Sequence, residues 1–205
     1  DVKGKRVLEV GAGTGRDGLA LARRGAHVVT IDYSDQSLRL IRGVAGSELG
    51  IRGRVMGYDA LSGQELWRFH TVPMGNETGA ETWLRPASAK TGGGGVWGAM
   101  SLDVTTGELF VPVGNPWPDL DRDYRPGTNL FTNSVIVLDA RTGALKWWHQ
   151  VSPADHMDLD IAAAPLLFRD SRVRDLLVIS GKDGYVTAVD RDTKQRGYRT
   201  PVTTV

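Results

Sequence analysis

Tyr58-Asp59-Ala60-Leu61-Ser62-Gly63-Gln64-Glu65-Leu66-Trp67 reads as a β-hairpin: a strand runs into an aspartate, a glycine-containing turn follows, and an aromatic residue marks the returning strand. The pattern recurs at Leu102-Asp103-Val104-Thr105-Thr106-Gly107-Glu108-Leu109-Phe110 and at Leu138-Asp139-Ala140-Arg141-Thr142-Gly143-Ala144-Leu145-Lys146-Trp147, with a weaker copy at Val189-Asp190-Arg191-Asp192-Thr193-Lys194. The aspartates are separated by 44, 36 and 51 residues, close to the ~40 to 50 residues of one propeller blade. Copies at that spacing predict stacked four-stranded sheets. The expected fold class is therefore mainly β, a partial β-propeller with about three to four blades' worth of repeats.

Upstream of the repeats the chain changes character. Val7 to Val10 is a short apolar run that suits a buried parallel strand, and Gly11, Gly13 and Gly15 then permit a tight turn. Leu19, Ala20, Ala22 and Ala26, interleaved with Arg23 and Arg24, predict an amphipathic helix ending at Gly25. Val28 to Ile31 follows as a second strand with Asp32 at its carboxyl end. A β-α-β unit with glycines at its first crossover and an acid after its second strand is built to hold a ribose. Arg16 stands where a dinucleotide fingerprint would need its third glycine, which argues against NAD. The expected organisation is a Rossmann-like βαβ fragment over residues 1–42 joined to a propeller segment over 43–205, with Leu40-Ile41-Arg42-Gly43 as the junction.

Composition agrees with two parts. The 26 glycines fall mostly in turn-like clusters beyond residue 42, and 40% of the 205 residues are hydrophobic, enough for a folded core. Residues 1–42 hold 8 basic and 5 acidic side chains; subtracting these from the totals of 25 and 24 leaves 17 and 19, so the net charges are +3 and −2. Neither part carries the basic stripe of a nucleic-acid binder. With no cysteine, disulfides, thiolate nucleophiles and cysteine zinc sites are excluded. No apolar run approaches the ~18 residues of a membrane span. The opening residues lack a signal peptide's apolar stretch, although the chain does not begin with Met.

Two family resemblances refine this reading. Leu8-Glu9-Val10-Gly11-Ala12-Gly13-Thr14-Gly15 resembles motif I of the class I S-adenosylmethionine-dependent methyltransferases, and Asp32 matches their ribose-binding acid. That likeness covers about a fifth of the chain. Residues 43–205 resemble the pyrroloquinoline quinone (PQQ)-dependent alcohol dehydrogenases. Gly46-Ser47-Glu48-Leu49-Gly50-Ile51-Arg52-Gly53 is similar to their metal-ligand strand, with Glu48 as the matching carboxylate and Gly46 and Ser47 beside the cofactor. Gly92-Gly93-Gly94-Gly95-Val96-Trp97-Gly98 resembles the stretch whose tryptophan, here Trp97, lies under the quinone. Gly114-Asn115-Pro116 matches the turn that gives the metal an amide oxygen from Asn115. Ala154-Asp155-His156-Met157-Asp158-Leu159-Asp160 resembles the HDLWDYD run and places Asp158 at the catalytic aspartate. Gly181-Lys182-Asp183-Gly184 matches the turn whose basic side chain, Lys182, reaches the quinone oxygens.

The resemblance implies an alcohol oxidation in which Asp158 is the base and Trp97 holds the ring flat, with PQQ as cofactor and a small alcohol as substrate. Glu48 and Asn115 are oxygen donors and suit a hard cation such as Ca²⁺. Asp160 adds a carboxylate that marks lanthanide-using members of the family, although sugar-oxidising members also carry one, so the metal set of Glu48, Asn115, Asp158 and Asp160 leaves Ca²⁺ and a lanthanide both open. Departures accompany the match: Ala154 replaces the leading His of the aspartate run, Met157 its Trp and Leu159 its Tyr. His70, His149 and His156 show no metal-ligand spacing. Family likeness also implies a periplasmic location. An incomplete arc of blades is expected to self-associate through its open edges.

Overall fold

The structure is a computed structural model that describes residues 2–10, 20, 21, 23–32, 52–161 and 163–203. Among these, twelve strands form three four-stranded sheets. The first contains β1 (Arg6–Val10), β2 (His27–Asp32), β3 (Arg54–Asp59) and β4 (Glu65–His70) in that order. The second contains β5 (Ser101–Asp103), β6 (Glu108–Val113), β7 (Ser134–Asp139) and β8 (Leu145–Gln150). The third contains β9 (Leu166–Arg169), β10 (Asp175–Ser180), β11 (Tyr185–Asp190) and β12 (Arg196–Pro201). Sheets two and three are antiparallel meanders, as hairpin-connected blades should be.

Turn chemistry explains the hairpins. Asp139 ends β7, and its Oδ1 accepts the N–H groups of Arg141 and Thr142 at 3.0 Å each. Gly143 then closes the turn at φ 70° with its N–H 2.8 Å from Asp139 O. Asp59 with Gly63, Asp103 with Gly107 and Asp190 with Lys194 repeat this arrangement. An aspartate that satisfies two turn amides, followed by a residue at positive φ, specifies the reversal locally.

That local origin corrects the reading of each aspartate copy as one blade, while the three sheets agree with the three to four blades expected. Asp59, Asp139 and Asp190 sit between the third and fourth strands of their sheets, whereas Asp103 sits between the first and second strands of the second sheet. Asp59 to Asp139 is thus one blade step, lengthened by two long connections, residues 71–100 and 114–133. A further aspartate turn at Asp170, where Oδ1 accepts from Arg172 and Arg174 N–H, reverses the chain between β9 and β10 and escaped the sequence pattern.

The first sheet mixes two kinds of strand pairing. β1 pairs with β2 in parallel, Arg6 opposite His27 through Val10 opposite Ile31. β2 then pairs with β3 antiparallel, with Val29 opposite Asp59 and Asp32 opposite Met56. Strands from both sides of residue 42 therefore make one sheet. Ala26 and Val28 are buried with Val2, Val7, Leu21 and Ala60 around them, while Leu8 packs into the cluster that joins the first and second sheets. Gly11, Gly13 and Gly15 lie outside the described residues, and Asp32 is described as the last residue of β2.

The core lies between sheets. Val55 and Trp67 of the first sheet meet Leu109, Val111, Ile136 and Leu138 of the second. Phe110, Val135, Val137 and Trp147 of the second meet Leu177, Ile179 and Val189 of the third. Because the second sheet is covered on both faces, β6 and β7 are apolar and buried almost continuously instead of alternating. Each fully buried Val, Leu, Ile or Phe contributes about 1.5–3 kcal/mol.

Candidate functional site

Topology brings the predicted residues to one end of two neighbouring sheets. In an antiparallel pair the start of one strand lies beside the end of the other. Trp97 precedes β5 and Asn115 follows β6, while Asp158 and Asp160 precede β9 and Lys182 follows β10. These four connections emerge at equivalent corners of the second and third sheets. Loops clustered at one end of a rigid scaffold are the usual place for a site.

Asp160 is the hub. It is buried, and its Oδ1 accepts the Asn115 N–H at 2.8 Å while its Oδ2 accepts the Lys182 Nζ at 2.7 Å. Its carbonyl also accepts the Lys182 N–H at 3.0 Å. Lys182 Nζ reaches Asp158 Oδ2 at 2.8 Å, so one ammonium bridges two carboxylates. Hydrogen bonds donated to Asp158 and Asp160 push the Lys182 pKa up to about 12. Asp158 is held at φ 59°, a left-handed conformation that aspartate tolerates better than most residues, and its side chain is 42% exposed.

Trp97 stands beside this cluster. A Cβ on Gly114 would be 2.6 Å from Asp160 Oδ1 and 3.2 Å from Trp97 Nε1, so only glycine leaves the carboxylate and the indole edge this close to the loop. Trp97 is 54% exposed, which distinguishes it from an ordinary packing aromatic such as Trp67. Asn115 donates its Nδ2 to Pro116 O at 3.3 Å, which turns its amide oxygen the other way.

The glycine run is explained by backbone crowding. Gly93 forms isolated bridges with Arg52 on one side and Pro116 on the other, and Gly53 N–H donates to Gly93 O at 3.1 Å. Gly94 N–H donates to Asn115 O, Gly114 N–H to Gly95 O, and Thr71 Oγ1 to Gly94 O. A Cβ at Gly93 would lie 2.4 Å from Trp117 N, and one at Gly53 would lie 2.2 Å from Gly94 O. The run is a backbone wedge that holds the Trp97 and Asn115 loops in register.

Two supporting residues were not read from the sequence. Asp155 is buried; its Oδ1 and Oδ2 accept the N–H groups of Met157 and Leu159 at 2.9 Å each. It folds the loop that presents Asp158 and Asp160. Arg125 is fully buried and donates to the carbonyls of Pro118, Asp119 and Asp155 and to Asn129 Oδ1. An aspartate followed by backbone amides two and four residues on is a legible turn signal, whereas a long-range carbonyl clamp by arginine leaves none.

Asn115, Asp158 and Asp160 present oxygen donors, which fit a hard cation. Among the described residues no three His, Cys, Asp or Glu side chains stand close enough to hold a metal. Gly46, Ser47 and Glu48, the remaining predicted cofactor and metal residues, lie outside the described residues; the chain resumes at Arg52-Gly53, already bonded to the glycine run. The donor chemistry of the described residues is therefore that of a hard cation's ligands.

Comparison with known proteins places this geometry in context. The family model for the glucose/ethanol/alcohol dehydrogenase β-propeller domain, named for PQQ, matches residues 41–197. The chain belongs to this family. A methyltransferase-domain model matches residues 7–72, overlapping the first match over the segment that carries β3 and β4. Quinohemoprotein alcohol dehydrogenase ADH-IIG of Pseudomonas putida is 34% identical over 170 residues, covering 76% of this chain and 24% of that protein. The lanthanide-dependent methanol dehydrogenase of Methylorubrum extorquens is 29% identical over 178 residues, covering 76% of this chain and 29% of that protein. The crystal structure of quinohemoprotein alcohol dehydrogenase from Comamonas testosteroni superposes with a TM-score of 0.73 at 25% identity, over 88% of this chain and 29% of that one. A europium-containing methanol dehydrogenase shares the fold, with a TM-score of 0.71 at 22% identity over 88% of this chain and 34% of that one. The chain thus spans about a quarter of the length of the curated relatives it matches. Among the described residues no helix is long and apolar enough to cross a membrane.

Proposed function

We propose that the chain carries part of the active site of a PQQ- and metal-dependent alcohol dehydrogenase. The observation that carries the proposal is the convergence of Trp97, Asn115, Asp158, Asp160 and Lys182 at one end of two adjacent sheets, in a family whose relatives are quinohemoprotein alcohol and methanol dehydrogenases. Trp97 offers an exposed indole face on which a planar ring can stack. Asn115, Asp158, Asp160 and Glu48 would hold the cation, Ca²⁺ or a lanthanide. When bound, the quinone would supply the hydride acceptor and the cation Lewis-acid polarisation.

The chain's own residues then divide the remaining work. Asp158, the more exposed of the two carboxylates, accepts the alcohol proton as general base. Asp160 is buried, fixes the Asn115 turn through its Oδ1 and supplies negative charge to the cation. Lys182, whose ammonium carries three donor hydrogens, supplies the hydrogen bond to a quinone oxygen. Gly46 and Ser47 line the cofactor in this reading. In this reading the natural setting is periplasmic, and self-association would run through exposed blade edges.

Reconstitution tests it. Purified chain mixed with PQQ and either Ca²⁺ or La³⁺ should show a bound-quinone absorbance band and quenched Trp97 fluorescence. Where an artificial dye acceptor reports primary-alcohol oxidation, Asp158→Asn should lower the rate by about 10²- to 10⁴-fold with quinone binding retained. No absorbance change with either ion would overturn the reading.

A second reading is favoured by the methyltransferase-domain match over residues 7–72: the segment 1–42 is a Rossmann-like βαβ piece whose Gly11, Gly13, Gly15 and Asp32 would bind S-adenosylmethionine. The parallel pairing of β1 with β2 supports descent from such a unit. Ligands of open α/β sheets bind at the carboxyl ends of several parallel strands, however, and β2 is flanked on its other side by antiparallel β3. Isothermal titration with S-adenosylmethionine should therefore show no tight binding. A micromolar dissociation constant abolished by Asp32→Ala would promote the methyltransferase reading.

A further inference from the structure

The bridge made by Lys182 has a consequence for cation binding. Its ammonium lies 2.8 Å from Asp158 Oδ2 and 2.7 Å from Asp160 Oδ2. Asp160 has a nearly buried side chain, so its charge requires a partner, and its other oxygen is spent on the Asn115 N–H. The ammonium is also tethered. The Lys182 N–H donates to Asp160 O, and a Cβ on the preceding Gly181 would lie 2.8 Å from that same carbonyl. The two Oδ2 atoms that the ammonium joins are the ones a cation shared by Asp158 and Asp160 would need.

We propose that Lys182 is an intramolecular counter-ion that a multivalent cation must displace from Asp158 and Asp160, so that this lysine sets the affinity threshold of the site. The proposal rests on the reading of Asp158 and Asp160 as metal ligands given above. Displacement has a signature. Breaking the two ion pairs costs the same free energy whichever ion arrives, so the lysine weakens Ca²⁺ and a trivalent ion by the same factor. Repulsion from a lysine that stayed in place would grow with ionic charge and penalise the trivalent ion more.

The test uses Tb³⁺ luminescence sensitised by the neighbouring Trp97, with Ca²⁺ affinity measured by competition, on the full chain and without any turnover assay. Lys182→Met should tighten both ions by a common factor of about fivefold, the size expected for two partly exposed ion pairs. Lys182→Arg, which can still bridge the carboxylates, should stay within about twofold of the parent. Circular dichroism establishes that each variant is folded. If Tb³⁺ binds and Asp160→Asn weakens it, but Lys182→Met changes neither affinity or favours Tb³⁺ disproportionately, the displacement proposal falls and the ligand assignment stands. If neither the parent nor Lys182→Met binds Tb³⁺ or Ca²⁺, both fall together.

Discussion

The Trp67 indole of the first sheet packs onto the bare α-carbon of Gly143 in the second: a Cβ at Gly143 would stand 2.4 Å from Trp67 Cε3. On its other side a Cβ at Gly57 would stand 2.4 Å from Trp67 Cε2 and Nε1. The ring is therefore clasped between glycines of two sheets, and it is buried with Leu109, Ile136 and Leu138. The next interface repeats the arrangement with a substitution, because Lys194 occupies the turn position of Gly143 and places its Nζ 4.5 Å from the Trp147 ring centroid.

Gly143→Ala combines a clash with a φ of 70° that alanine resists. The two effects should cost about 2–4 kcal/mol, read as a lower midpoint in urea unfolding at unchanged slope. Lys194→Gly relieves its φ of 62° but loses a cation–π contact. The expected net change is within about 1 kcal/mol. Equal losses at the two positions would refute the clasp.

Acid stability should depend on Arg191. Its guanidinium lies 2.6 Å from Asp103 Oδ2 and 2.9 Å from Glu108 Oε2, joining the turn after β11 to the second sheet, and it covers the Phe110 ring. The hydrogen bond from Arg191 holds the Asp103 carboxyl below its usual range; burial raises Glu108, but bonds from Arg191 and Lys146 more than offset this. A depressed folded pKa gives stability that is present above the ordinary carboxylate value of about 4 and lost as pH falls through the folded value. Arg191→Met should remove about 2 kcal/mol at neutral pH by leaving Asp103 without its cation and Glu108 with Lys146 alone. Because Asp103 then titrates nearer its ordinary value, part of that gap should close in acid. A constant difference between parent and variant from pH 7 to pH 3 would show that the depression does not come from Arg191.

The aspartate turns were legible in the sequence because their chemistry is local. Asp59, Asp139 and Asp190 each satisfy amides two and three residues on, and nothing distant is needed to recognise them. The same locality misplaced Asp103, since a turn signal does not say which pair of strands it joins. The site residues Trp97, Asn115, Asp158, Asp160 and Lys182 were legible through family motifs. Their joining by Asp160 was not, because a carboxylate that bonds the Asn115 N–H from 45 positions away leaves no spacing rule in the chain. Nor was the sharing of one sheet by strands from either side of residue 42. Strand pairing between β2 and β3 depends on edge availability, which hydrophobic patterning alone does not encode.

That shared sheet predicts what the amino-terminal segment does for stability. β2 donates its edge to β3, and Ala26 and Val28 are buried beneath it. A chain beginning at Arg52 would leave β3 as an exposed edge with Val55 and Met56, now fully buried, close to it. Such a chain should melt at a lower temperature and elute from a sizing column as larger species. Val28→Asp in the full chain should act in the same direction, costing about 3 kcal/mol or more for an unpaired buried charge. A shortened chain as stable as the parent and of the same size in solution relative to its mass would mean that β1 and β2 are dispensable to the first sheet.

The last prediction separates the aspartate that folds the loop from the one assigned to chemistry. Asp155 is buried and each of its oxygens accepts a backbone N–H, whereas Asp158 is partly exposed and accepts from Lys182. Asp155→Ala leaves the Met157 and Leu159 amides without acceptors and should cost about 2–4 kcal/mol. Asp155→Asn keeps one acceptor and should cost about half as much. Asp158→Asn should change stability by less than about 1 kcal/mol, since partly exposed ion pairs contribute little. The order should invert for chemistry in the reconstituted chain, with Asp158→Asn abolishing turnover and Asp155→Asn reducing it only in proportion to loop disorder. Urea midpoints beside dye-coupled rates distinguish the two roles. If Asp158→Asn destabilised the chain as much as Asp155→Ala, loss of activity in that variant would report a collapsed loop, and the general base would have to be sought elsewhere.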